Sequence, residues 1–188
     1  MKDFVFLRFG EEQTFIKKAH DLGLKELVLV YSVAESAKLT KEGVLKLKKI
    51  ADIDLKFGLD VKEQKNVKNS FFDVFLQLGT INERVFKGIT HLYNNENEEL
   101  KDFIHQRRSG LNHVLLNDFI EKNIKILFSY ASLLAADEKR KAQILGRIMQ
   151  NIVLCKKFGV EYSFVCLGTE TSSLRNPQDV VALKRICE

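Results

Sequence analysis

A chain of 188 residues, 45% hydrophobic and 29% charged, is most economically one domain, 1–188, long enough to bury a core. No apolar run approaches a bilayer span, and Met-Lys-Asp before a strand-like run is neither a signal nor a transit peptide, so a cytoplasmic protein with no membrane partner is expected. Three cysteines, Cys155, Cys166 and Cys187, are odd in number and form no CxxC, which argues against a disulfide framework or zinc knuckle and for buried small apolar side chains.

The net charge of +5 is unevenly placed. Residues 1–100 carry sixteen Lys/Arg and sixteen Asp/Glu, whereas residues 101–188 carry fourteen against nine. All the excess is C-terminal, a bias that leans toward a polyanionic partner.

In chain order, Phe4–Phe9 reads as a strand and Glu11–Leu22 as a helix closed by Gly23. Glu26–Tyr31 is a near-continuous apolar run, as in a strand buried on both faces. Thr40 caps a helix over 41–50, and Ile53–Leu59 is a strand. Val61–Lys68 is polar, a weak helix or a loop. Phe72–Leu78 is a strand, Asn82–Lys87 a short helix before Gly88, and Ile89–Tyr93 a short strand. Asn94–Glu99 is an acidic loop, 100–104 is ambiguous, and Arg107–Gly110 is a basic turn. Asn112–Lys122 is a helix, Ile124–Ser129 a strand, and Asp137–Phe158 one long amphipathic helix. Glu161–Leu167 is the last strand, and a loop over 168–175 leads to a helix capped by Asn176 with Pro177 in its first turn.

Strand and helix thus alternate about seven times, which implies a parallel sheet. No GxGxxG or GxxxxGK follows the first strand, so the usual reason for an open nucleotide-binding sheet is missing. The expected fold is α/β, a compact or irregular TIM-like (β/α) barrel with about seven parallel strands. The functional face of such a barrel is the C-terminal ends of its strands, here Arg8, Ser32, Asp60, His91, Ser129 and Gly168–Thr169.

Enzyme signals are poor. The first strand has no His, and the chain holds only His20, His91, His105 and His113. That is thin for a polynuclear metal site, and no GxSxG is present for nucleophilic catalysis. Asp54 and Asp60 near strand ends are most simply solvated acids.

Three basic-polar clusters stand out. Arg107 and Arg108 precede a glycine turn, with Asn112 and His113 opening the next helix. This is either a surface turn or a phosphate seat at a helix start. On the long helix, Leu145, Ile148, Met149 and Ile152 form the expected core stripe, and Arg140, Gln143, Arg147 and Gln150 fall on the opposite face. Lys139, Lys141 and Asn151 extend that polar face. It is a solvated surface, or one that meets phosphates and amide-bonding partners. Gly146 is the odd detail, because Gly inside a helix costs ~1 kcal/mol against Ala. Something approaches the backbone there, a neighbouring helix or a nucleic acid. The third cluster is the hydroxyl-rich loop 169–174 with Arg175.

These clusters, as the blocks SGLNHVL, FSYASLL, RKAQILGRIMQNIVLCKKFGV and LRNPQDVVAL, together resemble protein component 3 of archaeal ribonuclease P. The resemblance is strong over 107–188, and over 1–100 only the strand–helix order agrees. It implies a TIM-like barrel related to polymerase-and-histidinol-phosphatase barrels but without their metal ligands. It implies a subunit of the ribonucleoprotein that removes the 5′ leader of precursor tRNA. The RNA component, with its Mg2+, would perform the hydrolysis. The protein would bind no metal or cofactor of its own and contribute no catalytic residue. It would support the ribonuclease P RNA, meet precursor tRNA only indirectly, and pair with a Pop5-like protein component.

Carried over by position, the RNA-binding residues are Arg107, Arg108, Asn112, His113, Arg140, Arg147 and Arg175. Lys139, Lys141, Gln143, Gln150 and Asn151 are expected at a partner or RNA interface. Pro177 and Asp179 match the last block, where Gln178 stands in place of a common Arg, and the sequence ends soon after it. The alternative is a stand-alone metal-dependent phosphoesterase of the same barrel type, with its metal near His91.

Overall fold

The computed structural model describes residues 1–61, 71–79, 85, 87–97, 101, 102 and 107–188. The expectations for 62–68, most of the helix at 82–87, and most of 100–104 lie outside the described residues, as does His105. The elements are β1 (Lys2–Leu7), α1 (Glu12–Asp21), β2 (Glu26–Ser32), α2 (Val33–Ser36), α3 (Lys41–Ile50), β3 (Asp54–Asp60), β4 (Val74–Leu78), β5 (His91–Tyr93), α4 (His113–Lys122), β6 (Lys125–Ser129), α5 (Tyr130–Ala135), α6 (Glu138–Phe158), β7 (Tyr162–Val165) and α7 (Pro177–Cys187). Single 3-10 turns lie at Asn95–Asn97 and Thr171–Ser173.

The seven strands pair in parallel and in sequence order. The chain just after β7 then folds onto β1. Leu167 N donates to Phe4 O at 2.8 Å, Phe6 N donates to Gly168 O at 3.0 Å, and Val5 bridges Gly168. The result is a nearly closed TIM-like barrel.

The continuous apolar strands follow from burial on two faces. In β2, Val28 and Val30 point into the barrel with Phe4, Val74, Leu76, Leu127 and Val165. Leu27, Leu29 and Tyr31 point outward under α1 and α3. Ile126 and Phe128 of β6 likewise face outward, onto Leu116, Phe119, Ile144, Ile148 and Val180 of α4, α6 and α7. Both faces exclude water, so neither can carry the polar half of an alternating pattern.

Two sequence expectations are corrected, and two short helices are added. β1 spans Lys2–Leu7, and Phe9 is exposed. His91 begins β5, so it lies at the N-terminal end of the sheet, away from the expected functional face. Its ring sits 5.3 Å from that of Phe4 and its Nδ1 lies 2.8 Å from Thr90 Oγ1. The short helices α2 and α5 had no expectation; Ser32 and Ser129 cap them by accepting from Glu35 N and Ser132 N.

An acid stands where β1 meets β7. Asp3 is fully buried, and its Oδ1 accepts from Phe4 N at 2.7 Å and Cys166 N at 2.6 Å. Burial pushes its carboxyl from 3.8 up to about 6, against the two backbone amides that favour the anion. The folded form therefore holds this proton more tightly than the unfolded chain. The stability tied to it is complete below the unfolded value and is lost as pH rises through about 6. Asn at this position keeps the carbonyl acceptor without the charge. Asp3→Asn should leave stability near that of the native chain at pH 4 and raise it by up to ~3 kcal/mol at pH 7.5, read by denaturant titration at both pH values.

Candidate nucleic-acid interface

The polar face of α6 has a definite occupant, and it is this chain. Asp137 caps the helix by accepting from Arg140 N at 2.8 Å, and Gly159, at φ 75°, ends it. Its buried residues are Ile144, Arg147, Ile148, Asn151, Ile152 and Cys155. The core stripe is thus turned from the expected one. Ile144 replaces Leu145 at its centre, and Met149 is 45% exposed.

Along the same helix a ladder of polar side chains grips the stretch between β5 and α4. Arg140 Nη2 donates to Asn97 O at 2.7 Å, and its Nη1 to Gln143 Oε1 at 2.5 Å. Arg147 Nη1 donates to Glu96 O at 3.0 Å, and its Nε donates to Asp102 Oδ1 at 2.8 Å. Gln150 reads the backbone of Arg107 from both sides: its Oε1 accepts from Arg107 N at 3.2 Å and its Nε2 donates to Arg107 O at 3.1 Å. Gln150 Nε2 also donates to Ser109 Oγ, and Asn151 Nδ2 donates to Ser109 O, both at 2.9 Å. Steps of three and four residues place these groups on one helix face, so a single face serves as a rack for an irregular strand of chain.

The electrostatics fit that reading. Arg147 is 0% exposed, and a buried guanidinium is tolerated only when it is paired and hydrogen-bonded. Asp102 supplies the charge. Burial opposes its ionisation, but the Arg108 amide, Arg147 and Gln143 together hold its carboxyl below the ordinary carboxylate range. Glu96 beside it is also fully buried, and burial pushes its carboxyl up to about 7.

Two expected contact residues are therefore reassigned. Arg147 and Asn151 are buried and hold the chain's own backbone, so neither is a surface contact in the free protein. Asn112 acts as the cap of α4, its Oδ1 accepting from Leu115 N at 3.0 Å. His113, Lys139 and Arg107 are exposed, and Arg108, Arg140, Lys141, Gln143, Gln150 and Arg175 are partly so.

Gly146 is explained by Arg107, not by a neighbouring helix or a nucleic acid. A Cβ at Gly146 would collide with the Arg107 guanidinium, which packs against the helix at this point. The backbone of Arg107 is held by Gln150, with Arg108 next to it in the chain. The sequence held a signal for this arrangement, because amides mixed with arginines at helical spacing around a glycine suit backbone recognition better than a field for phosphates. Asp102, Glu96, Asn97 and Ser109, the other half of the contact, carried no such signal.

A second feature opens at the C-terminal ends of β6 and β7. A groove of about 750 Å3 is walled by Ala131, Leu134, Ala135, Ala136 and Leu167, by the turn from Gly168 to Ser173, and by Arg140 and Arg175. A Cβ at Gly168 would strike Ser173, so glycine lets this turn fold back across the strand end. Of the other residues expected on this face, Asp60 is buried and accepts from Tyr93 Oη at 3.0 Å, and Ser129 Oγ donates to Cys166 O at 3.2 Å. Among the described residues no group of three or more His, Cys, Asp or Glu gathers to hold a metal ion.

The fold and this surface define an α/β barrel with basic residues grouped on its α4–α6 side and at its C-terminal mouth. No family model matches the chain. Ribonuclease P protein component 3 of Methanococcoides burtonii is 30% identical over 91 residues, covering 47% of this chain and 38% of that protein. Among solved structures, a chain of archaeal ribonuclease P determined by cryo-EM with mature tRNA superposes with a TM-score of 0.73 at 19% identity. That superposition covers 98% of this chain and 82% of the other, and it shows a shared barrel.

Arg147→Met should cost ~3 kcal/mol, because Asp102 and the backbone of residue 96 lose their buried partner; denaturant unfolding measures it. Gly146→Ala should keep or slightly raise the melting temperature, since Ala gains up to ~1 kcal/mol of helix propensity and the clash falls on a flexible side chain. It should nevertheless shift the NMR resonances of the Arg107 side chain.

Proposed function

We propose that this chain is a protein subunit of ribonuclease P, of the protein component 3 family, that binds and stabilises the catalytic RNA. The observation that carries this reading is the sequence similarity to ribonuclease P protein component 3. The nearly full-length barrel likeness to a chain of the archaeal ribonuclease P structure supports it. In this reading the RNA and its Mg2+ cleave the 5′ leader of precursor tRNA, and the protein supplies position and charge. Its partners are the ribonuclease P RNA and a Pop5-like protein component, in the cytoplasm.

Physical chemistry gives the reading its content. Arginine forks bind phosphate oxygens in pairs, and phosphate contacts orient a protein on RNA without reading bases. Arg107 and Arg108 stand at the exposed edge of the segment that α6 holds, and Arg140 and Arg175 line the groove. Lys139, Lys141 and His113 add to the same basic side. Arg147, Gln150 and Asn151 act through the segment they position.

Reconstitution tests the proposal. Adding the chain to ribonuclease P RNA and the other protein subunits should raise cleavage of precursor tRNA at low Mg2+. Arg107→Ala and Arg108→Ala should each weaken RNA binding and flatten its salt dependence by about one unit of log–log slope. No stimulation of cleavage, together with unchanged RNA affinity in both variants, would remove the proposal's support.

A further inference from the structure

We propose that the groove at the ends of β6 and β7 seats one unpaired nucleotide of an RNA strand, gripping its phosphodiester through Arg175. This rests on the reading of the chain as an RNA-binding subunit and names the chemistry of one of its sites. A volume of about 750 Å3 suits a nucleotide and falls within the range of small-molecule pockets. The groove lies at the end of the barrel where the loop after the last strand often holds phosphate in (β/α) barrels.

Arg175 is already organised for the task. Its Nη1 is spent on the carbonyls of Ser172, at 2.6 Å, and Leu174, at 3.1 Å. Its guanidinium carbon lies 5.8 Å from the centre of the Tyr130 ring, which holds it from below. Among the described residues nothing engages its Nε and Nη2, the edge that matches two oxygens of one phosphate. Fixing the side chain beforehand removes much of the ordering cost of binding.

The opposite wall is apolar. Leu134, 44% exposed, stands with Ala135 and Ala136 where the face of a sugar or base can pack. Hydroxyls of Ser132, Thr169 and Ser172 line the rim and suit a ribose. A duplex keeps its bases stacked inside, so such a seat takes a strand whose bases are free.

Charge sets the form of phosphate. Beside Glu170, the one carboxylate among the described lining residues, the Arg175 fork meets the single negative charge of a diester. It is a poorer match for the dianion of a terminal monophosphate, which Glu170 repels.

The test is an NMR titration of the full chain with the dinucleotide UpU, with uridine 5′-monophosphate and with inorganic phosphate. UpU should shift the amides of Leu134, Thr169 and Arg175 and bind more tightly than either monoester. Arg175→Ala and Arg175→Lys, each showing a native-like spectrum, should weaken UpU by ~10-fold or more, because lysine keeps the charge and loses the fork. Lys49→Ala, on the exposed face of α3, should leave UpU binding unchanged, and Glu170→Gln should bring the monophosphate up toward UpU. The proposal is overturned if UpU leaves the groove amides unmoved, if Arg175→Lys binds it as the native chain does, or if inorganic phosphate binds as well as UpU. These outcomes leave the subunit reading standing, because that reading is judged by cleavage and by the Arg107 and Arg108 variants.

Discussion

The guanidinium of Arg147 is the interaction on which the rest of this surface depends. It is wholly buried in the middle of α6 and reaches Asp102 and the carbonyl of Glu96. A charge so placed is costly unless it is fully partnered, so Glu96 and Asp102 must lie against the helix for the helix to be stable there. Once Arg147 fixes those two residues, the other contacts follow by spacing. Arg140 takes the carbonyl one residue further along, while Gln150 and Asn151 take the backbone around Arg107 and Ser109. Gly146 makes room for the Arg107 side chain between them. The basic turn is not a loose loop; its backbone is held at both ends.

The barrel supplies the other constraint. The seven strands close through Asp3 and through the extended chain after β7, where Leu167 takes a positive φ of 51°. That turn of the backbone sends Gly168 to Ser173 over the strand ends and forms one wall of the groove. The opposite side is α5, whose cap, Ser129, is tied to Cys166 O. Arg140 belongs to both systems: it bonds Asn97 within the α6 contact and faces the groove. The two basic features therefore adjoin on one side of the molecule.

Much of the fold was legible in the sequence, because both causes are local. Strands buried on two faces must be continuously apolar, as ELVLVY is. Helix ends must satisfy free amides, as Thr40 and Asn176 do. The site was less legible. Helical spacing identified Arg140, Gln143, Arg147 and Gln150 as one face but not what covers it. Internal partners that lie outside the helices and strands, such as Asp102, Arg107 and Ser109, leave no periodicity to read. Asp3 escaped notice for a similar reason, since a buried acid at a sheet seam is seen only when β1 and β7 are brought together. Gly146 was the one residue whose cost in a helix pointed to a close approach, and the approaching group is Arg107.

The central claim is that the polar face of α6 is filled by the chain itself, so that in the proposed RNA-binding role Arg147, Gln150 and Asn151 act only through the segment they hold. Amide hydrogen exchange of the free protein tests it most directly at Arg107 and Arg108, whose N–H groups donate to Gln150 Oε1 and Asp102 Oδ1. Both amides should be protected in the free chain, unchanged when RNA is added, and Arg107 should lose protection in Gln150→Ala. Fast exchange at both positions in the free chain, slowing only with RNA, would contradict the account and return the face of α6 to the nucleic acid.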